Sequence, residues 1–224
     1  MIERTNNADR PVREKWPKRR WYQYSLRSLL VFVVICAVLC GWLGKNIEKK
    51  KKERELVEEI AKSGGVVLYD YEKITGAQPS GPAWLRRLLG ENFFNAVESV
   101  TFGSKQTKVS EAELMSLEEL TELQELRLSD TDVTDAGLIH LQGLTKLQIL
   151  CLGGTRISDD GLERIGELSQ LQTLDLQRTG VSDPGVPHLK RLTKLRYLDL
   201  TETNVTFDAE IALQKALPNC EIHR

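Results

Sequence analysis

Three histidines and four cysteines are the residues of this 224-residue chain best suited to metal binding or nucleophilic catalysis. Neutral imidazole and thiolate ligate zinc, and a thiolate beside a base attacks carbonyls. Cys36 and Cys40 stand four residues apart, whereas Cys151 and Cys220 are isolated in sequence, as are His140, His188 and His223. No C-x-x-C, H-E-x-x-H, phosphate-cradling loop or dinucleotide fingerprint occurs. Cys151 is therefore a nucleophile candidate without an evident base. Four cysteines also argue against a disulfide scaffold. The residues point to no enzyme, no cofactor and no metal.

The elements that must position these side chains are repeats with a period of 24. Leu123-x-x-Leu126-x-Leu128 recurs from Leu147, from Leu171 and from Leu195. Each unit continues with Thr131, Thr155, Thr179 or Thr203, then Val133, Ile157, Val181 or Val205. Three units go on to a Thr/Ser-Asp-x-Gly step, at Thr134, Ser158 and Ser182. A degenerate first unit opens at Val97-x-x-Val100-x-Phe102 and is two residues longer. Leu217-x-x-Cys220-x-Ile222 supplies a sixth strand, read as ending a unit two residues shorter.

The L-x-L triplets predict short strands whose leucines enter the core. The threonine hydroxyl is placed to bond backbone as the chain turns. Thr/Ser-Asp predicts a helix N-cap with a carboxylate at the positive end. One unit cannot bury both apolar edges alone, but a stack can.

Residues 97–224 accordingly resemble a leucine-rich repeat domain, and the Thr/Ser-Asp-x-Gly-Leu step is similar to the cysteine-containing class. The chain departs from that class by carrying Thr in place of Cys and by a shorter unit. As a whole it resembles membrane-anchored bacterial leucine-rich-repeat proteins: a basic stretch, RRWYQYSLRSLL, then a span, a small cap and a few repeats. The resemblance implies an α/β solenoid of parallel short strands and convex helices behind a single transmembrane helix. It also implies binding of a protein partner and no particular one.

In such a solenoid the residues between the leucines face the concave side. The central column then reads Thr101, Arg127, Cys151, Asp175, Asp199 and Glu221. Tyr197 lies in one flanking column, with Gln177 and His223 in the other. Strands about 4.8 Å apart would make Asp175, Asp199 and Glu221 an acidic ladder. Arg127, Asp175, Gln177, Tyr197, Asp199 and Glu221 are the candidate partner-binding residues, with Tyr197 as anchor for a basic partner. A solvated face that keeps the solenoid soluble explains the same residues. No loop with spaced oxygen ligands accompanies them, which argues against calcium. His140 and His188 fall two repeats apart, roughly 10 Å at strand spacing, too far to share one zinc. Cys220 replaces a core leucine and is expected to be buried.

The net charge of -1 hides a segregation. Residues 1–44 carry +5, residues 45–62 carry +2, and residues 97–224 carry -8. The balance gives no support for nucleic-acid binding. Leu29 to Gly44 is free of charge for 16 residues, about 24 Å as a helix. Leu26 extends it, Arg27 can snorkel, and Trp21, Tyr22, Tyr24 and Trp42 supply interfacial rings. The run exceeds a usual signal-peptide core of about 7–15 residues, and no A-x-A-like site follows. Cys36 and Cys40 share one helix face, as small apolar residues or as part of a dimer contact.

Five segments result: a basic N-terminal segment (1–25), a transmembrane helix (26–44), a helical stalk (45–63), a small N-terminal cap region (64–96) and the repeats (97–224). Val66 to Tyr71 reads as a strand, Ala83 to Leu89 as a helix stopped by Gly90, and Phe93 and Phe94 as cap aromatics. The expected role is a non-catalytic, single-pass cell-membrane module that binds a partner through its concave face. Basic residues on both flanks nearly balance the positive-inside rule. A basic segment before a first apolar run favours placing the repeats outside the cytoplasmic membrane. The alternative is a cytosolic scaffold tethered to the inner face, with Lys49–Lys52 on anionic lipid. The sequence fixes no oligomeric state. Residues 63–224 are expected to fold without the span.

Overall fold

The computed structural model describes residues 26–70, 72, 78–90, 92–103 and 109–224, so the basic segment 1–25 and Tyr71 lie outside the described residues. The chain divides into two compact units, Met1–Gly44 and Lys45–Arg224.

Helix α1 (Leu26–Lys62) runs through the boundary of the two. In the first unit its apolar side chains are exposed, from Leu29 through Ile35 and again at Val38 and Trp42. Among the described residues this is the one helix long and apolar enough to cross a membrane, and a signal sequence shares those features.

In the second unit the same helix changes character. Leu56 and Ile60 are buried and join the repeat core, with Val57 packed against them. Lys50 forms an ion pair with Glu53 at 2.8 Å and donates to the Asn95 carbonyl. The helix ends where Gly64 takes φ 86°. Strand β1 (Val66–Tyr69) then pairs antiparallel with β2 (Val97–Thr101). Between them α2 (Ala83–Leu89) stops at Gly90, as the sequence predicts.

Strands β3 (Glu125–Arg127), β4 (Ile149–Cys151), β5 (Thr173–Asp175), β6 (Tyr197–Asp199) and β7 (Glu221–His223) extend the sheet in parallel and in sequence order. On the other side lie α3 (Glu111–Ser116), a 3₁₀ turn at Gly137–Leu141, α4 (Asp159–Ile165), α5 (Val186–Leu189) and α6 (Phe207–Ala216). The helices expected for each repeat are thus as short as one turn. Their leucines and those of the strands meet in one core, where Leu126, Leu150, Leu174 and Leu198 are fully buried. Phe102 closes its first layer and is also buried, as is Phe93, whereas Phe94 stays 39% exposed and contributes little cover.

Polar side chains hold the repeats in register. Thr131, Thr155, Thr179 and Thr203 each donate a hydroxyl to the carbonyl three residues back, at 2.5–2.6 Å. The Ser-Asp step does something other than cap its own helix. Ser158 and Ser182 make no side-chain cap bond. Instead Asp135 accepts from the Ser158 amide and hydroxyl, Asp159 from those of Ser182, and Asp183 from those of Thr206. Each carboxylate therefore ties its repeat to the next. The glycine two residues after each aspartate allows the close approach. A Cβ on Gly185 would strike Asp159 Oδ1 and lie 2.7 Å from Leu162 Cδ1; one on Gly137 would lie 2.5 Å from Leu114 Cδ1.

The two irregular units come out differently. The first is two residues longer, as expected, with Val100 paired to Leu126. The last unit is not shorter: Leu198 pairs with Ile222, so the strand spacing of 24 persists. Leu217 is not the first leucine of a strand motif. The Cys220 amide donates to the Leu217 carbonyl as the Leu195 amide donates to that of Leu192. Leu217-x-x-Cys220 is thus the turn before the strand, and one residue fewer separates that turn from the strand centre.

Candidate functional site

The strand face carries a central column built by register: Thr101, Arg127, Cys151, Asp175, Asp199 and His223. Glu221 does not belong to it. Because Ile222 aligns with Leu198, Glu221 stands beside Tyr197, in the column of Ile149 and Thr173. The acidic ladder therefore has two central rungs, Asp175 and Asp199, with Glu221 diagonal to them. The signal for His223 was present in the sequence: it lies 24 residues after Asp199.

Both carboxylates are oriented by their own strands. Asp175 Oδ1 accepts the Gln177 amide and Asp199 Oδ1 accepts the Thr201 amide, each at 2.9 Å. Gln177 thus contributes its backbone to the site. Gly153 keeps the space beside Asp175 open; a Cβ there would sit 3.0 Å from Oδ2. Tyr197 is half-buried next to this pair, and its ring lies 5.1 Å from that of His223. His223 Nε2 meets Glu221 Oε1 at 3.1 Å. Desolvation first, then the charges of Asp199, Asp175 and Glu221, pushes the Tyr197 hydroxyl above its usual pKa. Tyr197 is therefore a hydroxyl donor beside two carboxylates.

The other end of the column differs. Arg127 is exposed and bound to Glu125 at 2.6 Å. That hydrogen bond holds its guanidinium pKa above the ordinary value. Next to it Cys151 is buried, not exposed as the strand pattern predicts; the neighbouring strands place Arg127 on one side of it and Asp175 on the other. Burial raises its thiol pKa, Arg127 opposing and Asp175 reinforcing the shift. A thiol kept protonated is a poor nucleophile. Cys220 is buried as expected, and burial pushes it up to about 11.

The histidines do not assemble. His140 Nδ1 pairs with Glu118 at 2.7 Å on the helix side, whereas His223 is on the strand face. Among the described residues no three His, Cys, Asp or Glu side chains are grouped to hold a metal.

Residues 119–141 and 143–166 match the family model of the leucine-rich repeat. Those two segments are thus leucine-rich repeats, a module that generally mediates protein–protein interaction. No curated protein matches the chain by sequence. Among solved structures it is similar to internalin C2 from Listeria monocytogenes, at 24% identity and TM-score 0.45 over 59% of this chain and 52% of that one. The ectodomain of the receptor kinase SOBIR1 from Arabidopsis thaliana is similar at 16% identity and TM-score 0.48, over 77% of this chain and 91% of that one. A leucine-rich-repeat protein of Leptospira interrogans is similar at 24% identity and TM-score 0.40, over 49% of this chain and 27% of that one. The chain thus spans about a quarter to a half of the two bacterial proteins.

Proposed function

We propose that this protein is a non-catalytic, membrane-tethered binding module whose strand face takes a basic segment of a protein partner. The observation that carries the reading is the register of Asp175 beside Asp199, each with one oxygen held by backbone and Tyr197 alongside. Fixed anions next to an aromatic anchor suit a Lys or Arg side chain, which pairs with carboxylate and stacks on a ring. The raised Cys151 and Cys220 thiols give no support to nucleophilic chemistry. Tethering rests on the exposed apolar run of α1. Placement of the repeats outside the cytoplasmic membrane rests on the basic segment before that run. No nucleic acid is expected at an anionic face.

Two measurements test this. A photo-crosslinking amino acid at Tyr197 should capture the partner in cells, and one at Lys190, exposed on the helix side, should not. Capture at Lys190 alone would overturn the assignment of the face. Alkaline phosphatase and fluorescent-protein fusions to the C-terminal end report the side of the membrane; fluorescence without phosphatase activity would favour the cytosolic scaffold.

A further inference from the structure

Helix α2 has no buried residue. Among the described residues Trp84 and Leu88, at 69% and 74%, are the two most exposed of the large apolar side chains, more exposed than the described apolar run of α1. They lie at i and i+4 on one face, and Arg87, also exposed, lies beside them. The opposite face, Leu85, Arg86 and Leu89, is half-buried. Polar contacts rather than apolar burial hold the helix in place: Arg54 of α1 donates to the Leu89 carbonyl, and Arg86 donates to that of Pro79. Gly90, at φ 103°, leaves the space that the Arg54 guanidinium fills.

We propose that the Trp84–Leu88 face, with Arg87 on it, seats on the surface of an anionic lipid bilayer. Indole and leucine side chains beside arginine are the composition of an interfacial helix, where the ring sits at headgroup depth and the cation meets phosphate. Exposed Arg87 supplies the matching charge on the face itself. Lys51 and Lys52, with side chains 77% and 67% exposed, lie on α1 within one turn of Arg54, each also paired with a glutamate, Glu55 at 3.9 Å and Glu119 at 4.0 Å. Seven residues alone bind lipid weakly, but a contact made by a chain already anchored is intramolecular and needs little affinity of its own. The inference rests on α1 being a membrane span.

The full chain with Trp16, Trp21 and Trp42 replaced by Phe leaves Trp84 as the sole tryptophan, excited at a wavelength that tyrosine does not absorb; a companion retains only Trp42. Both are reconstituted into phosphatidylcholine vesicles with and without phosphatidylglycerol. The expected result is a blue-shifted Trp84 emission, quenched by lipids brominated near the headgroup, more strongly with phosphatidylglycerol. Leu88→Glu should abolish that quenching while circular dichroism stays unchanged, since Leu88 is 74% exposed. Trp42 quenched by bromolipid with Trp84 quenched only by aqueous iodide overturns the inference and leaves the span standing. Both tryptophans open to iodide overturn the span reading and the inference together. Trp84 shielded from iodide and bromolipid alike, in proportion to protein density, would assign the face to a second copy and overturn the lipid assignment.

Discussion

Arg178 reaches Asp130, 48 residues earlier and two repeats away, with a 3.2 Å ion pair that passes over Gly154. Asp130, Gly154, Arg178 and Glu202 occupy one turn position, all in the left-handed region, with φ between 55° and 71°. Side chains are thus tolerated there; a Cβ on Gly154 would come 2.6 Å from Asp130 Oδ1, so the carboxylate that pairs with Arg178 would have to shift. Arg178→Ala removes a half-exposed pair and should cost about 1 kcal/mol or less. Gly154→Ala should cost more, roughly 1–3 kcal/mol, because it crowds the turn. Urea unfolding of the two variants gives the order directly.

The carboxylate ties between repeats predict a coupled loss. Asp159→Ala leaves the Ser182 amide and hydroxyl without their acceptor and should destabilise by roughly 1–3 kcal/mol. Ser182→Ala should cost less, since the amide bond survives. The double variant should cost less than the sum, which a double-mutant cycle measures.

The end of α1 belongs to the repeat core. A soluble chain beginning at residue 45 keeps Leu56, Ile60 and the Lys50–Glu53 pair, and one beginning at residue 63 lacks them. The longer chain should melt cooperatively and the shorter should be less stable and prone to association. In the longer chain Ile60→Ala should cost about 2–5 kcal/mol, the range for a fully buried aliphatic truncation. Equal melting temperatures for the two chains would remove α1 from the core.

Burial of Cys220 predicts a pH dependence. Its folded pKa of about 11 exceeds the ordinary 9.0, so the folded state holds its proton where the unfolded state has lost it. Stability from this group is complete below 9.0 and falls as pH rises from 9.0 to about 11. Cys220→Ala should flatten that decline. Alkylation of Cys220 and Cys151 should be slow at neutral pH and accelerate on unfolding.

Repeats, their period and their core leucines were legible because one leucine pattern recurs in phase. Three features were not. Glu221 was misplaced because Leu217-x-x-Cys220 has the same spacing as the turn and as the strand motif, and only hydrogen bonds between strands distinguish them. Ser158 and Ser182 look like caps, but their partner is an aspartate 23 residues earlier, a contact that stacking alone creates. Cys151 alternates as an exposed residue, yet it is buried, with Arg127 and Asp175 on the neighbouring strands. The same parallel register sets Asp175 beside Asp199.

The most direct test of the binding account is capture of partners from solubilised membranes by the full chain and by its Asp175→Asn/Asp199→Asn variant, across a salt titration. The account predicts a protein that the parent retains at low salt, releases as salt rises, and that the variant fails to retain even at low salt. Retention of the same proteins by both, with the same salt dependence, would contradict it.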